Sequence, residues 1–337
     1  AEQARAYLAR RGLDPVACEQ FGIGYAPDQR QGLFNALRSK GIAEALIVEA
    51  GLCAKPDDGG APFDRFRGRI MFPIRDARGR CIAFGGRSLD PNARAKYLNS
   101  PETPLFDKGR NLYNLGPARA AVAKGKPLIV AEGYMDVIAL VRAGFEGAVA
   151  PLGTAITEDQ LRLMWRVSPE PVIALDGDTA GLRAALRLID LALPMTAPGQ
   201  ALRFAFLPQG QDPDDLIRAK GAGAMSAVLE ESRPLVDLLW RRETEGRVFD
   251  SPERKAALDK ALGDAIARIP DKDTRDHYFA ALKSLKWELF GHRRRETAQP
   301  SRPAWQPRGM RGAAPLPVAA ATVCPTGWAT RKLPTAL

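Results

Sequence analysis

The sequence is poor in what several large protein classes require. Its four cysteines, Cys18, Cys53, Cys81 and Cys324, form no CxxC pair, and it has two histidines, His277 and His292. That pattern offers neither a zinc site of the Cys/His kind nor a disulfide framework. It fits reduced, mostly buried thiols in a cytoplasmic protein. No apolar run reaches the roughly 18 residues that a membrane span needs, which argues against a membrane protein. No GxxxxGK[ST] occurs, so a P-loop motor is not expected. There is no initiating Met and no leader-like segment, and the amphipathic opening from Ala1 to Leu8 reads as the interior of a longer protein. Residues 297–337 contain no acid, are rich in Pro, Ala, Gly and Thr, and show no sustained period, the composition of a flexible tail or linker.

What is present is enough for more than one unit. The chain has 337 residues, 45% of them hydrophobic and 26% charged, an ordinary soluble composition, and single cores stop growing near 250 to 300 residues. The net charge of +10 is unevenly spread. Residues 1–126 hold 21 basic against 13 acidic side chains, 127–220 hold 8 against 12, 221–296 hold 15 against 14, and 297–337 hold 5 against none. Basic flanks around an acidic middle are the layout expected when one region holds phosphate backbone and another holds metal ions.

Periodicity divides the chain along the same lines. Helices are expected at Glu2 to Arg10, Pro15 to Gln20, Leu33 to Lys40 and Ala43 to Ala50, punctuated by glycines. Arg67–Arg75 and Arg80–Ser88 flank the turn Asp76-Ala77-Arg78-Gly79 and should pair as an antiparallel hairpin rich in arginine. From Pro127 strands and helices alternate: Leu128–Ala131, Met135–Ala143, Gly147–Pro151, Glu158–Arg166, Val172–Leu175, Ala180–Leu193 and Leu202–Leu207. That rhythm predicts an α/β fold with a mostly parallel sheet flanked by helices. Residues 221–296 read as a small helical subdomain.

The acids of the middle segment gather at strand ends. Glu132 follows Leu128–Ala131, Asp176 and Asp178 follow Val172–Leu175, and Asp212 and Asp214 follow the last strand across a short loop. Parallel strands bring these carboxylates to one rim of the sheet. Such a cluster is not ionised together without cations, and hard oxygen ligands select magnesium or manganese. Two or more such ions suit phosphoryl transfer, in nucleotide polymerisation or in strand cleavage. An isolated DxD is more often a turn with a helix cap, since Asp suits both; the matching acids at neighbouring strand ends weigh against that reading here. Asp136, one helical turn beyond Glu132, is a further candidate for the same rim, and Asp215 reads as a solvated acid at a helix start.

At these residues the sequence resembles the toprim module of primases, topoisomerases and some nucleases. The longer strings are similar to bacterial DnaG-type primases: Glu132-Gly133-Tyr134-Met135-Asp136, Asp176-Gly177-Asp178-Thr179-Ala180-Gly181, Gln211-Asp212-Pro213-Asp214-Asp215, and upstream Asp64 to Ile74 and Lys96 to Pro104. The resemblance implies a mixed basic subdomain (1–126), a toprim catalytic module (127–220) and a helical bundle (221–296), an α+β chain overall. It implies RNA primer synthesis on single-stranded DNA from ribonucleoside triphosphates, with Glu132 nearest the reacting 3′-hydroxyl, Asp176 and Asp178 on metal, and Asp212 and Asp214 completing the set. Arg67, Arg69, Lys96, Lys108 and Arg110 would hold template or triphosphate, against the plainer reading of a solvated hairpin face. Tyr97 and Tyr113 read more simply as core or interface residues than as base-stacking ones. Full-length members add a zinc module and a module that binds the replicative helicase, and work beside single-strand binding protein; both modules are expected to lie outside this chain.

Three rivals stand beside that reading. A topoisomerase-like cleaver needs a nucleophilic Tyr in a DNA-gate domain for which there is no room. A nucleic-acid-binding module with an inert acidic rim would not need every acid of the pattern. The primase half of a primase–helicase would call for the missing P-loop.

Overall fold

The computed structural model describes residues 2–153 and 155–296; the expectation of a flexible segment at 297–337 lies outside them. The chain begins with α1 (Glu2–Arg10), α2 (Pro15–Phe21), β1 (Gly24–Ala26), α3 (Gly32–Ser39) and α4 (Glu44–Glu49), the helices falling where the glycine-punctuated pattern places them. Local chemistry sets their limits. Asp14 accepts the Ala17 N–H ahead of Pro15 at the start of α2, and Gly22, at φ 65°, ends it in the left-handed conformation. A two-residue ribbon, β2 (Cys53–Ala54) with β3 (Phe63–Asp64), follows.

The arginine-rich hairpin forms as expected, from β4 (Arg69–Arg75) and β5 (Cys81–Ser88), paired antiparallel from Arg69 opposite Ser88 to Arg75 opposite Cys81. Asp76 closes its turn by accepting the N–H groups of Arg78 and Arg80, each at 2.9 Å. Ile70, Phe72 and Ile74 alternate onto one face and are fully buried. With β1 and β6 (Tyr97–Asn99) the hairpin makes a four-stranded sheet ordered β1-β4-β5-β6. Three-residue strands such as β1 and β6 carry too little alternation to be foreseen.

After α5 (Leu115–Val122) the alternating region folds as β7 (Ile129–Val130), α6 (Tyr134–Arg142), β8 (Ala148–Val149), α7 (Glu158–Val167), β9 (Val172–Gly177), α8 (Thr179–Ala192), a 3₁₀ turn (Leu193–Met195), β10 (Arg203–Gln209) and α9 (Pro213–Lys220). Then come α10 (Ala222–Glu230), β11 (Arg233–Pro234), α11 (Leu235–Thr244), α12 (Pro252–Ile266) and α13 (Lys272–Glu296). The second sheet is ordered β11-β10-β9-β7-β8. Its four inner and far strands are parallel and β11 is an antiparallel edge, which carries the sheet past the boundary expected at residue 220.

This sheet is the wall between two cores. Leu128, Val130, Ile173 and Leu175 face the helices α7, α8, α11 and α12. Ile129, Ala131 and Ala174 face the other way, against Ile70, Phe72 and Ile74 of the hairpin and Val137 and Ile138 of α6. Period-two alternation in a sheet buried on both faces thus joins the basic half and the helical half to the same strands. Burying apolar area at about 25 cal/mol per Å² on both faces makes the strand ends a rigid platform. The thiols depart from expectation: Cys53 is buried, but Cys18 is half-buried and Cys81 exposed, all three free.

Candidate metal centre and nucleotide cleft

Three connections deliver the acids to one rim. Glu132 leaves β7 one residue before Gly133, the N-cap of α6, and its Oε1 accepts the Asp176 N–H at 3.4 Å. Asp176 lies inside β9, since that strand runs two residues further than the apolar pattern suggests, to Gly177. Asp178 is the N-cap of α8, accepting the N–H groups of Ala180 and Gly181 at 2.8 and 2.7 Å through one oxygen. The helix cap and the metal ligand, rival readings of DxD, are compatible, because the carboxylate has a second oxygen. Asp212 caps α9 in the same way through the Asp215 N–H at 2.7 Å.

Two glycines make the convergence possible. A Cβ on Gly177 would stand 1.9 Å from the Pro208 carbonyl oxygen, and one on Gly181 would stand 2.4 Å from the Asp176 carbonyl oxygen. No side chain fits at either place, so β9 and β10 approach closely and α8 turns tightly off its strand.

Among the described residues no Lys or Arg forms an ion pair with Glu132, Asp136, Asp176, Asp178 or Asp212. Burial pushes the Asp176 carboxyl up to about 7, with repulsion from Glu132, Asp212 and Asp178 adding to it. Its Oδ1 is buried without a hydrogen-bond partner. Burial also raises Glu132, which the Asp176 N–H opposes and the Asp178 charge reinforces. Asp136 is 8% exposed, and burial together with Asp212, Asp176 and Asp214 holds its carboxyl far above the usual range, so the first turn of α6 does face the rim. Asp212 is raised by burial, with Asp215 and Asp214 adding.

Asp214 and Asp215 are different. Carboxylate oxygens of Asp212, Asp214 and Asp215 lie within 4.8 Å of one another, a spacing that a cation could bridge. Asp214, however, is 2% exposed and already paired with Arg11 and with Arg218, the latter at 3.2 Å. Asp215 is not simply solvated, since it shares both arginines. The sequence places Asp214 equally with the other acids; the structure adds two arginine partners to it, one from α9 and one from just beyond α1.

The basic candidates also separate. Arg67 and Lys96 are exposed, the first shortly before β4 and the second directly before β6. Arg69 donates to the carbonyls of Gly86 and Ala95 at 3.1 and 3.0 Å, which ties the loop before β6 to the hairpin. Lys108 pairs with Glu102 at 3.8 Å, and Arg110 with Asp159 at 3.0 Å. Their loop is fastened to the N-terminus of α7: Thr157 donates to the Gly109 carbonyl and Gln160 to that of Lys108. Arg69, Lys108 and Arg110 therefore have partners within the protein, a role that counting charges does not reveal.

The comparisons with known proteins bear on the family and the fold. Residues 1–119 match the family model for the DNA primase catalytic core, N-terminal domain, and residues 126–201 match the Toprim domain. The Escherichia coli primase catalytic core superposes with a TM-score of 0.76 at 40% identity, over 84% of this chain and 90% of that one. The chain belongs to the DnaG primase family.

A DnaG primase catalytic domain bound to single-stranded DNA matches at 41% identity and TM-score 0.74, covering 82% of this chain and 86% of that one. The DNA primase of Neisseria meningitidis is 43% identical over 267 residues, 79% of this chain and 44% of that protein. The chain thus spans less than half the length of the curated DnaG primases it matches. A third model, the DnaB-helicase binding domain of primase, matches residues 237–285. That match runs against the expectation that helicase-binding sequence lies wholly outside the chain. Amphipathic periodicity identified α11 to α13 as helices but carried no motif for a partner.

Within this DnaG core the sequence reading missed Arg87. It sits on β5, 9% exposed, with its guanidinium 4.1 Å from the Tyr7 ring and 5.7 Å from that of Tyr97. Its Nε and Nη1 are buried without hydrogen-bond partners, as is the Tyr7 hydroxyl. Tyr97 feels the charges of Arg87, Asp136 and Asp212, so this arginine lies at the edge of the acidic rim. One arginine among many on a hairpin gives no sequence signal of burial. Tyr113, 4% exposed, is core as expected.

Proposed function

We propose that this chain is the polymerising core that copies single-stranded DNA into short RNA primers by two-metal-ion nucleotidyl transfer. The observation that carries this is the Asp176 Oδ1, buried and without a partner among the described residues, at the meeting point of Glu132, Asp178, Asp212 and Asp136. An acidic cluster that the protein leaves without cations is built for hard divalent ions, magnesium or manganese. Asp176 and Asp178 would hold them, with Glu132, Asp212, Asp214 and Asp136 around them; Asp214 is in addition the buried partner of Arg11 and Arg218. When bound, such ions polarise the attacking hydroxyl and the leaving oxygens of an in-line displacement.

The chain's own groups supply the rest. Glu132, a carboxyl raised by burial, accepts the proton of the primer 3′-hydroxyl more readily than an ordinary carboxylate does. Arg87 places positive charge at the edge of the acidic rim, and Lys96 and Arg67 supply the exposed basic surface for triphosphate and template. The substrates are a single-stranded DNA template and ribonucleoside triphosphates, and the product is an RNA primer. The replicative helicase engages residues 237–285, and the full-length protein works with single-strand binding protein in the bacterial cytoplasm at the replication fork. Support comes from the DNA-bound relative and the helicase-binding model.

The test is primer synthesis on single-stranded DNA with labelled ribonucleotides and magnesium or manganese, comparing the wild type with folded Glu132→Gln and Asp176→Asn. Short RNA from the wild type alone supports the reading; equal product from the variants, or none from a wild type that binds both template and metal, removes it.

A further inference from the structure

Asn99, the last residue of β6, is bonded to three separate segments. Its Oδ1 accepts the Tyr134 hydroxyl at 2.6 Å, and its Nδ2 donates to the Leu152 carbonyl at 2.7 Å. Its own carbonyl accepts Nε and Nη2 of Arg65 at 3.2 and 3.1 Å. Tyr134 is 5% exposed and opens α6, two residues after Glu132 and two before Asp136. Its ring stacks on Phe72 of the hairpin, centroids 5.1 Å apart and 4° from parallel, and meets Tyr113 edge-on at 4.8 Å.

Opposite Asn99 in the hairpin register is Gly85, where a Cβ would stand 2.4 Å from the Tyr134 hydroxyl. Only a glycine leaves room for that ring. The same short strand carries Tyr97 and follows the exposed Lys96, so β6 has these residues at one end and the Tyr134 bond at the other.

We infer that Asn99 and Tyr134 form a strut that fixes the distance between the nucleotide-holding strand and the catalytic acids, with Asn99 a positioning residue acting through Tyr134 on Glu132 and Asp136. This rests on the polymerase reading above. Glu132 stands two residues before α6 and Asp136 lies in its first turn, so the setting of that turn bears on both acids. Packing alone lets a tyrosine ring slide, whereas a hydrogen bond to a side chain that is itself held at Leu152 does not. A misplacement of about 1 Å at reacting groups costs as much as a hundredfold in rate.

The experiment compares Tyr134→Phe, Asn99→Ala, their double variant and Gly85→Ala with the wild type. The readouts are kcat and KM for ribonucleotides in primer synthesis, manganese binding by electron paramagnetic resonance, and thermal melting. The strut predicts a fall in kcat of about tenfold to a hundredfold with KM within about twofold. It also predicts weaker manganese binding, a double variant no worse than the poorer single one, and a Tyr134→Phe variant that melts near the wild type. Additive losses overturn it, as does unchanged kcat in folded Tyr134→Phe. Should a wild type that binds template and metal make no primer, the polymerase reading fails by itself. Manganese binding then decides the strut: weaker binding in both single variants upholds it and unchanged binding overturns it.

Discussion

The acidic rim and the arginine-rich half carry opposite charge and treat it in opposite ways. In the basic half a set of cations is consumed by the fold: Arg69 on carbonyls of the neighbouring loop, Arg65 on that of Asn99, Arg80 on Asp76, Arg110 on Asp159. On the rim Glu132, Asp136, Asp176, Asp178 and Asp212 have no ion-pair partner among the described residues, whereas Asp214 and Asp215 share Arg11 and Arg218. Fixed charge with internal partners builds structure, and buried charge without them requires something from solution. The contrast turns a tally of +8 against −4 into a distinction between scaffold and site.

The largest effect that tests this distinction is loss of activity without loss of fold. Glu132→Gln and Asp176→Asn should lower primer synthesis by roughly 10³-fold or more, the range expected for removing a proton acceptor or a metal ligand. Because each removes a repelling charge, each should melt higher than the wild type when metal is chelated. A variant that melts lower without metal would mean that the rim is internally balanced after all.

Next comes the backbone that holds the rim. Gly177→Ala forces a methyl into the space of the Pro208 carbonyl and has no flexible neighbour to displace. It should cost about 3 kcal/mol, the upper end of overpacking penalties, measured by urea unfolding. Gly79→Ala, in the hairpin turn at φ 81° with open space around it, should cost less, its penalty being conformational only. Equal costs would remove the argument that β9 and β10 are held at minimum separation.

A smaller effect follows from pH. Asp176 sits at about 7 in the folded chain against an ordinary 3.8, so between those values the folded state keeps a proton that the unfolded state releases. Stability of the metal-free chain should therefore fall as pH rises from about 4 to 7, with the loss complete above that window. Glu132, Asp136 and Asp212 are raised too and act in the same direction. Saturating magnesium or manganese should raise the melting temperature more at pH 8 than at pH 5.5. A metal-free melting temperature that rises with pH across this window would contradict the buried, unpaired state of these groups.

How much of this was legible beforehand follows from the range over which each signal acts. The parallel sheet and its acids could be read because apolar runs of four to seven residues end in carboxylates, a pattern set by strand periodicity alone. Asp136 was legible from helical spacing. The pairing of Asp214 with Arg11 spans 203 positions in sequence, and no local pattern encodes it. Arg87 differs from Arg69 only in which way β5 and β4 face at those registers, and burial of that kind emerges once α1 brings Tyr7 onto the hairpin. β6 is three residues long, yet it carries Asn99. The sites missed lie at contacts between distant segments, where propensity and pattern are silent.

The smallest predicted effect draws the line inside the basic half. Arg67 is exposed at the start of the hairpin, whereas Arg69 spends its guanidinium on Gly86 and Ala95. Arg67→Ala should weaken binding of single-stranded DNA uniformly across sequences and reduce the slope of log affinity against log salt by about 0.7, the share of one phosphate contact on a single strand, with manganese binding unchanged. Arg69→Ala should leave that slope nearly intact and instead lower the melting temperature, since it frees the loop that leads into Lys96 and Tyr97. Titrating a fluorescent oligonucleotide at several salt concentrations, beside a melting curve for each variant, separates the two. If both arginines change the slope alike, Arg69 is reaching the template in spite of its carbonyl partners, and the division between consumed and available cations must be redrawn at that residue.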